Sequence, residues 1–559
     1  MKTSFLSPQS KRLLRRLAVG VLASGLTLAA ARAQSVQRIG TVWYILLENR
    51  NFTESETSGG AQIYGSPAAP YINSLITPGN PNAAQVSYCT AYHNVLAVYD
   101  GSSPSIHPSE PNYIWMENGS NLSKLNDNDP YGSGLSVNAM ATFLAANPAY
   151  TGQNLCGLLQ AAGLTWRAYS EGTNQLNTSG TNANLGGTLT ATAAAPSLWT
   201  VPLASFSGSN AAYVNPYNGS TQWNFATKHT GSLFFAATNG TTSLTVANTA
   251  TSNPEAQYYS PLPDLAADLT AGTCAQYNVI TPDQYNDMHT ALSAGFTYHG
   301  THYTGDLAQI AQGDNFLAIV VPQIMASPQY QNNGVIVIWT DETEGSPQND
   351  FRHTLTEIVI SPLAKGNAYA STLNYTHSSD LNTMQKVFQV VANTPTGYLN
   401  DAANPSNATP ANLIGTVSAL TATSPISGQA SIPPSGYGTG QAYDLADLFQ
   451  AGVIPTSIPV VAITPSGFTL NRRTNTYTQT ATITNKLSVA TTTPTYIEVS
   501  KLPTGATLVN AAGTAGNGSP YVLGAPAGLA PGASATVTLQ FTATGTLTDL
   551  LNATTNGTP

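Results

Sequence analysis

Val335-Ile336-Val337-Ile338-Trp339-Thr340-Asp341-Glu342 is the stretch on which the fold turns: five apolar residues in succession, then a hydroxyl and two adjacent carboxylates. A second run, Val42 to Leu47, has the same form and closes on Glu48-Asn49. Tyr277 to Ile280 closes on Thr281-Pro282-Asp283, and Ile358 to Ile360 closes on Ser361-Pro362. Short β-branched runs without polar alternation suit strands buried on both faces. Helix-spaced apolar stripes lie between and after them: Leu155, Leu158, Leu159 and Ala162, then Leu381, Met384, Val387, Phe388 and Val391. This alternation, from residue 34 to about 455, predicts an α/β domain with a mostly parallel sheet flanked by helices. Within it, residues 173–255 are rich in Asn, Thr, Gly and Ser and read as an insertion or lid.

From residue 456 to 559 the period changes to two. Tyr477, Ala481 and Ile483 alternate with threonines, as do Ala535, Val537, Leu539 and Phe541. About 100 residues of this kind suit an all-β sandwich of immunoglobulin-like type, with Ile454 to Pro459 as the linker. Such a sandwich is open to contact with a surface or a partner, or simply packs on the catalytic part. Its Thr-rich strands do not distinguish these.

Charged residues make up only 8% of the 559, and hydrophobics stand at 42%. Residues 1–33 hold six bases and no acid, which leaves 12 bases against 27 acids in the remainder, a net of −15. Such a body excludes nucleic-acid binding by general electrostatics, which needs clustered Lys and Arg. The basic stretch through Arg16, the apolar run Leu17 to Ala31 and the small-x-small site Ala31-Arg32-Ala33 form a signal-peptide pattern over residues 1–33. No later stretch approaches 18 uninterrupted apolar residues. The expectation is a secreted or periplasmic protein with no transmembrane segment once the signal is removed. Cys89, Cys156 and Cys274 allow one disulfide and one spare thiol, without metal-cluster spacing.

In an open α/β sheet, ligands bind beyond the carboxyl ends of the strands. Asp341 and Glu342 at such an end repel unless a cation or protons lie between them. Hard oxygen donors from Glu48, Asn49, Asp341 and Glu342 favour Mg, Ca or Mn over Zn. The same carboxylates would equally cap the next helix or reach solvent, and the residues alone leave both readings open. In His107-Pro108-Ser109-Glu110-Pro111-Asn112-Tyr113, two prolines flank a serine at the start of a helix-like run. A phosphate binds well at such a helix start. A serine hydroxyl needs a base or a metal to become a nucleophile. No Gly-x-Ser-x-Gly elbow occurs, which removes the best support for a Ser-His-Asp hydrolase.

Leu46-Leu47-Glu48-Asn49-Arg50-Asn51-Phe52 resembles the Glu-Asn-Arg-Ser-Phe signature of the bacterial and fungal phosphoesterase family, and His107 to Tyr113 resembles its His-Pro-Ser-x-Pro-Asn-Tyr segment. That family groups acid phosphatases with phosphatidylcholine-type phospholipases C in the alkaline-phosphatase superfamily. Gly163 to Trp166 with Tyr169 and Glu171, Lys228-His229, Asn286 to His289, Trp339 to Glu342 and Tyr375 to Ser378 follow in the family's order. The resemblance implies an alkaline-phosphatase-like core, with Glu48, Asn49, Asp341 and Glu342 holding a divalent metal that Ser109 shares. It implies Ser109 as nucleophile, Asn112 as donor to a phosphoryl oxygen, and His377 or His289 as proton donor to the leaving alkoxide. His107, Lys228, His229 and Asp287 would line the substrate site. The family's phospholipase branch continues Ser-Phe-Asp-His, whereas here Phe52 is followed by Thr53-Glu54. The expected activity is therefore an acid phosphatase acting on phosphomonoesters through a phosphoserine. A phospholipase C or other phosphodiesterase is the alternative, and an inert surface-binding protein is the third reading.

Overall fold

The computed structural model describes residues 38–54, 61–94, 107–122, 126–128, 145, 148–175, 200–240, 252–344, 353–400, 444–499, 502–514, 519–543 and 547. The expected signal segment, 1–33, lies outside them. Among the described residues, twelve strands precede residue 372: β1 (Thr41–Leu47), β2 (Val86–Cys89), β3 (Trp166–Ser170), β4 (Phe206–Ser209), β5 (Gln222–Phe225), β6 (Tyr259–Pro261), β7 (Tyr277–Thr281), β8 (Phe296–Tyr298), β9 (Thr301–Tyr303), β10 (Gly334–Thr340), β11 (Glu357–Ile360) and β12 (Tyr369–Ser371). Eight of these form one sheet in the order β12-β2-β11-β10-β1-β7-β3-β6, while β4-β5 and β8-β9 are separate two-stranded pieces.

Every residue of β1 and β10 is buried, as their unbroken apolar runs require. Because strand side chains alternate between faces, Val42, Tyr44 and Leu46 enter one core and Trp43, Ile45 and Leu47 the other. Helices α2 (Glu110–Asn118), α3 (Leu155–Ala161) and α6 (His377–Phe388) cover the first face. Helices α1 (Pro70–Leu75), α4 (Asp264–Ala271) and α5 (Gly305–Met325) cover the second. Each fully buried Leu, Ile or Val on these faces contributes about 1.5–3 kcal/mol relative to exposure.

The sheet is mixed rather than simply parallel. β10, β1, β7, β3 and β6 run parallel, but β11 is antiparallel to both β10 and β2. The β10–β11 connection needs no helical crossover, and an antiparallel neighbour is the geometry such a return permits.

Beyond residue 460 the described residues form only β-strands and their connections. β13 (Val461–Pro465), β14 (Thr469–Asn471), β15 (Thr476–Asn485), β17 (Ala506–Leu508) and β20 (Ser534–Ala543) make a five-stranded sheet. β16 (Tyr496–Glu498), β18 (Gly513–Thr514) and β19 (Pro520–Leu523) make a three-stranded one. In β20, Val537, Leu539 and Phe541 are buried while Thr536, Thr538 and Gln540 are exposed, and the buried set shares one core with Ile497 and Val522 of the smaller sheet. Within the expected linker, Ile454 and Ile458 are buried. Cys89, Cys156 and Cys274 are buried free thiols. Among the described residues, no helix is long and apolar enough to cross a membrane.

Candidate active site

The site lies where β1, β10, β7 and β3 end. β1 and β10 pair in parallel, with Leu47 opposite Thr340, so the next residues, Glu48 and Asp341, fall side by side. Adjacent residues of a strand face opposite ways, so Glu48 and Asn49 can reach one place only if the strand has stopped. It has: Asn49 adopts the left-handed region at φ 50°, and its N–H donates to Asp341 Oδ1 at 3.1 Å. Asparagine tolerates that conformation better than most residues. The Glu48 N–H donates to the Asp287 carbonyl at 2.7 Å, which fixes the loop after β7 to the end of β1.

Two groups meet there. In the first, His229 Nε2 lies 2.6 Å from Glu48 Oε1, and its Nδ1 lies 3.4 Å from Asp287 Oδ2. His289 Nε2 stands 3.6 Å from Glu48 Oε2 and is about one-third exposed. The His229 ring stacks on Tyr113 at 5.0 Å between centroids, so helix α2 carries its support. In the second group, Glu342 collects three side chains. Ser109 Oγ donates to its Oε1 at 2.9 Å, His107 Nδ1 lies 2.7 Å from the same oxygen, and Asn112 Nδ2 donates to Oε2 at 2.9 Å. Ser109 is the residue immediately before helix α2, so the helix start and Asn112 one turn on are placed together.

Glu48, Asp341 and Glu342 are wholly buried. Burial pushes the Asp341 and Glu342 carboxyls well above the carboxylate range, with the Glu342 and Glu48 charges adding to it at Asp341 and the Glu48 charge at Glu342, and burial chiefly raises Asp287. Burial would raise Glu48 too, but the His229, His289 and Lys228 charges overcome it and hold that carboxyl low. Conversely, burial works against the His229 cation, and Glu48 with Asp287 outweighs it and raises the imidazole. Among the described residues, Asn49 Oδ1 and Asp341 Oδ2 are buried without a hydrogen bond, and the Glu48 oxygens and Asp287 Oδ2 have only the His229 and His289 ring nitrogens beside them. Such groups are costly unless something else meets them. Hard, oxygen-rich and acidic, this donor set fits a divalent cation. Glu48, His229 and Asp287 bring ligand atoms within 4.8 Å of one another, so His229 and Asp287, expected at the phosphate, sit where a metal could equally use them.

His377, expected as a proton donor, is placed otherwise. Its Nε2 is 2.6 Å from the Asp341 carbonyl and its Nδ1 is 2.8 Å from Tyr92 Oη. Burial pulls its imidazole down to about 3. Both ring nitrogens are committed, and as placed the ring holds the end of β10 and presents no N–H to a substrate. Tyr92 Oη in turn donates to Asp380 Oδ2 at 2.5 Å and accepts from Trp339 Nε1 at 3.0 Å, and Tyr44 Oη donates to Asp380 Oδ1 at 2.9 Å.

Several residues carry roles that the sequence reading did not assign. Buried Arg50 donates from Nε to the Met288 carbonyl at 3.2 Å and pairs with Glu344, bracing the 287–289 loop. Glu171, at the end of β3, accepts from Asn215 and Asn286, each at 2.8 Å, and from the Asp283 N–H at 3.0 Å. Lys228 pairs with Asp127, which the sequence did not mark at all. An arginine in so charge-poor a chain was a usable signal, and so was Asp380 one helical turn after His377. Tyr92 carried none.

The phosphoesterase family model matches residues 79–391, more than half of the chain. The chain belongs to the phosphoesterase family, a class of phosphoester hydrolases. Ser109, Asp341 and Glu342 lie inside the matched span, and Glu48 and Asn49 precede it. Among solved structures, a protein in the alkaline phosphatase superfamily from Vibrio parahaemolyticus is similar at 8% identity, over 80% of this chain and 77% of that one, with a TM-score of 0.33. The lipoteichoic acid synthase LtaP from Listeria monocytogenes is similar at 9% identity, over 65% and 74%, with a TM-score of 0.32. The PsFucS1 sulfatase from Pseudoalteromonas sp. is similar at 9% identity, over 71% and 75%, with a TM-score of 0.34. No curated protein matches the chain in sequence.

Proposed function

We propose that this chain is a metal-dependent phosphatase that hydrolyses phosphomonoesters through a phosphoserine at Ser109, with an acid optimum. The observation that carries the reading is the Ser109 hydroxyl, held on Glu342 at the start of helix α2 and beside the buried carboxylates of β1 and β10. A divalent ion, Mg, Ca or Mn, held by Glu48, Asn49, Asp341 and Glu342 with Ser109 would lower the alcohol's pKa and offset phosphoryl charge. Glu342 Oε1 orients the Ser109 O–H and is placed to receive its proton. The Oγ–P bond forms as the ester O–P bond breaks, and His289, the exposed imidazole of the site, protonates the departing alkoxide. Water then cleaves the Oγ–P bond, giving one proton back to His289, while Glu342 returns to Ser109 Oγ the proton it took. Asn112, His107, Lys228 and His229 meet the equatorial oxygens, since phosphoryl transfer is mostly positioning and electrostatics. His377 acts by holding the Asp341 carbonyl.

Residues 34–455 form the catalytic unit in this reading and 456–559 an immunoglobulin-like sandwich, which the two sheets with one shared core support. Residues 1–33 direct export. The test is Ser109→Ala, assayed on p-nitrophenyl phosphate with metal content measured alongside. Activity falls by at least about a thousandfold, the melting temperature stays put, and the trapped phosphate adduct seen on the wild type disappears. Turnover in that variant within about a hundredfold of wild type refutes the reading. Preference for bis-p-nitrophenyl phosphate or phosphatidylcholine over the monoester would move the assignment to phosphodiesterase.

A further inference from the structure

The first backbone N–H groups of a helix lack intrahelical partners and attract anions. At helix α2, which starts next to Ser109, that place is taken. The Glu110 N–H donates to Asp127 Oδ1 at 3.2 Å, and the other carboxylate oxygen, Oδ2, is ion-paired with Lys228 Nζ. Asp127 is a solvent-facing acid: its side chain is 36% exposed and that of Lys228 14%, whereas Glu48, Asp341 and Glu342 are wholly buried. Its charge also reaches inward: burial lowers His107 and the Asp127 charge works against that, while burial raises Glu342 and the Asp127 charge adds to it.

We infer that Asp127 is a specificity-determining residue that stands in for the substrate's phosphoryl group. It occupies the helix amide and the ammonium beside Ser109, which an incoming ester must take from it. The inference rests on the phosphatase reading above. Two like charges cannot share one ammonium at low cost, so a phosphoryl dianion binds only as the carboxylate gives up Lys228. A singly charged diester meets half that repulsion. When the carboxylate returns to Lys228, it helps to expel the product phosphate.

The experiment compares wild type with Asp127→Asn, which keeps size and hydrogen bonding but removes the charge. Asp127→Ala serves as a second variant and melting temperature as a control. Inorganic phosphate binding is measured by calorimetry on the Mg- or Mn-loaded protein, together with KM for p-nitrophenyl phosphate and for its bis ester. Loss of one close, partly exposed charge should tighten phosphate binding and lower the monoester KM by about five- to tenfold, and move the bis ester by about twofold or less. Equal or weaker phosphate binding by a variant that melts like wild type would overturn the inference while leaving the phosphatase reading intact. A lower melting temperature with unmoved affinities would do the same, by making Asp127 a structural tie. A wild type that binds no phosphate and cleaves no ester would overturn both.

Discussion

Glu342→Gln separates a catalytic carboxylate from a structural one. Glu342 receives Ser109 and His107 on one oxygen and Asn112 on the other. Glutamine keeps the shape, and its carbonyl can still accept from Ser109 and His107. Its –NH2 must then face the Asn112 –NH2, two donors against each other. Charge-assisted bonds are worth about 1.5–3 kcal/mol and neutral ones about 1 kcal/mol. Weakening two and losing the third therefore removes about 3–5 kcal/mol of orientation, or about two to four decades in kcat/KM. Stability should move differently. Burial and the Glu48 charge hold this carboxyl well above its ordinary value, so its ionised form opposes folding until a cation meets it. The variant should therefore melt, in chelator, no lower than wild type, and gain less on adding Mg or Mn. Steady-state kinetics and paired melting curves read both quantities. Activity within tenfold of wild type, or an equal fall in activity and in chelator-treated melting temperature, refutes the reasoning.

Metal-free protein should lose stability as pH rises from about 5 to about 8. Asp341, Glu342 and Asp287 are raised in the fold, so the native state keeps protons there that the unfolded chain releases above about pH 4. The raised His229 acts in the same direction, its contribution complete below about 6.5 and lost as pH climbs toward about 10. Glu48 is lowered, so its contribution disappears only in strong acid. A divalent ion should flatten the profile, and a chelated sample that melts higher at pH 8 than at pH 5 contradicts the scheme. Tyr92→Phe leaves Asp380, His377 and Trp339 each short of a buried partner. It should cost about 2–4 kcal/mol and weaken metal binding; denaturant titration showing no loss would dismiss the network. Gly231→Ala would set a Cβ 2.2 Å from the Tyr113 carbonyl, forcing the His229 segment off helix α2. Activity should fall by more than about tenfold with helicity unchanged by circular dichroism, and a fully active variant would show that His229 does not depend on that contact.

What could be read ahead of the structure was what depends on short range. Unbroken apolar runs at Val42 to Leu47 and Val335 to Trp339 need burial on two faces, and the structure gives them just that. The period-two pattern around Thr476–Asn485 and Ser534–Ala543 needs one buried face, and those are the two longest strands of the C-terminal region. The acids that close the central strands stood out because the chain has few charges to place. The direction of β11 was not legible, since Glu357-Ile358-Val359-Ile360 reads the same for a parallel and an antiparallel neighbour.

The α/β core, the all-β C-terminal region, the family and the strand ends at which carboxylates gather were legible along the chain. How those groups divide depends on the folded arrangement. It set His229 against Glu48, Ser109, His107 and Asn112 on Glu342, and His377 on the Asp341 backbone. It also brought Asp127 to Lys228, 101 positions away. Hydrophobic period is written in neighbours along the chain. The partner of a buried charge is chosen by the register of distant strands and by the left-handed turn at Asn49.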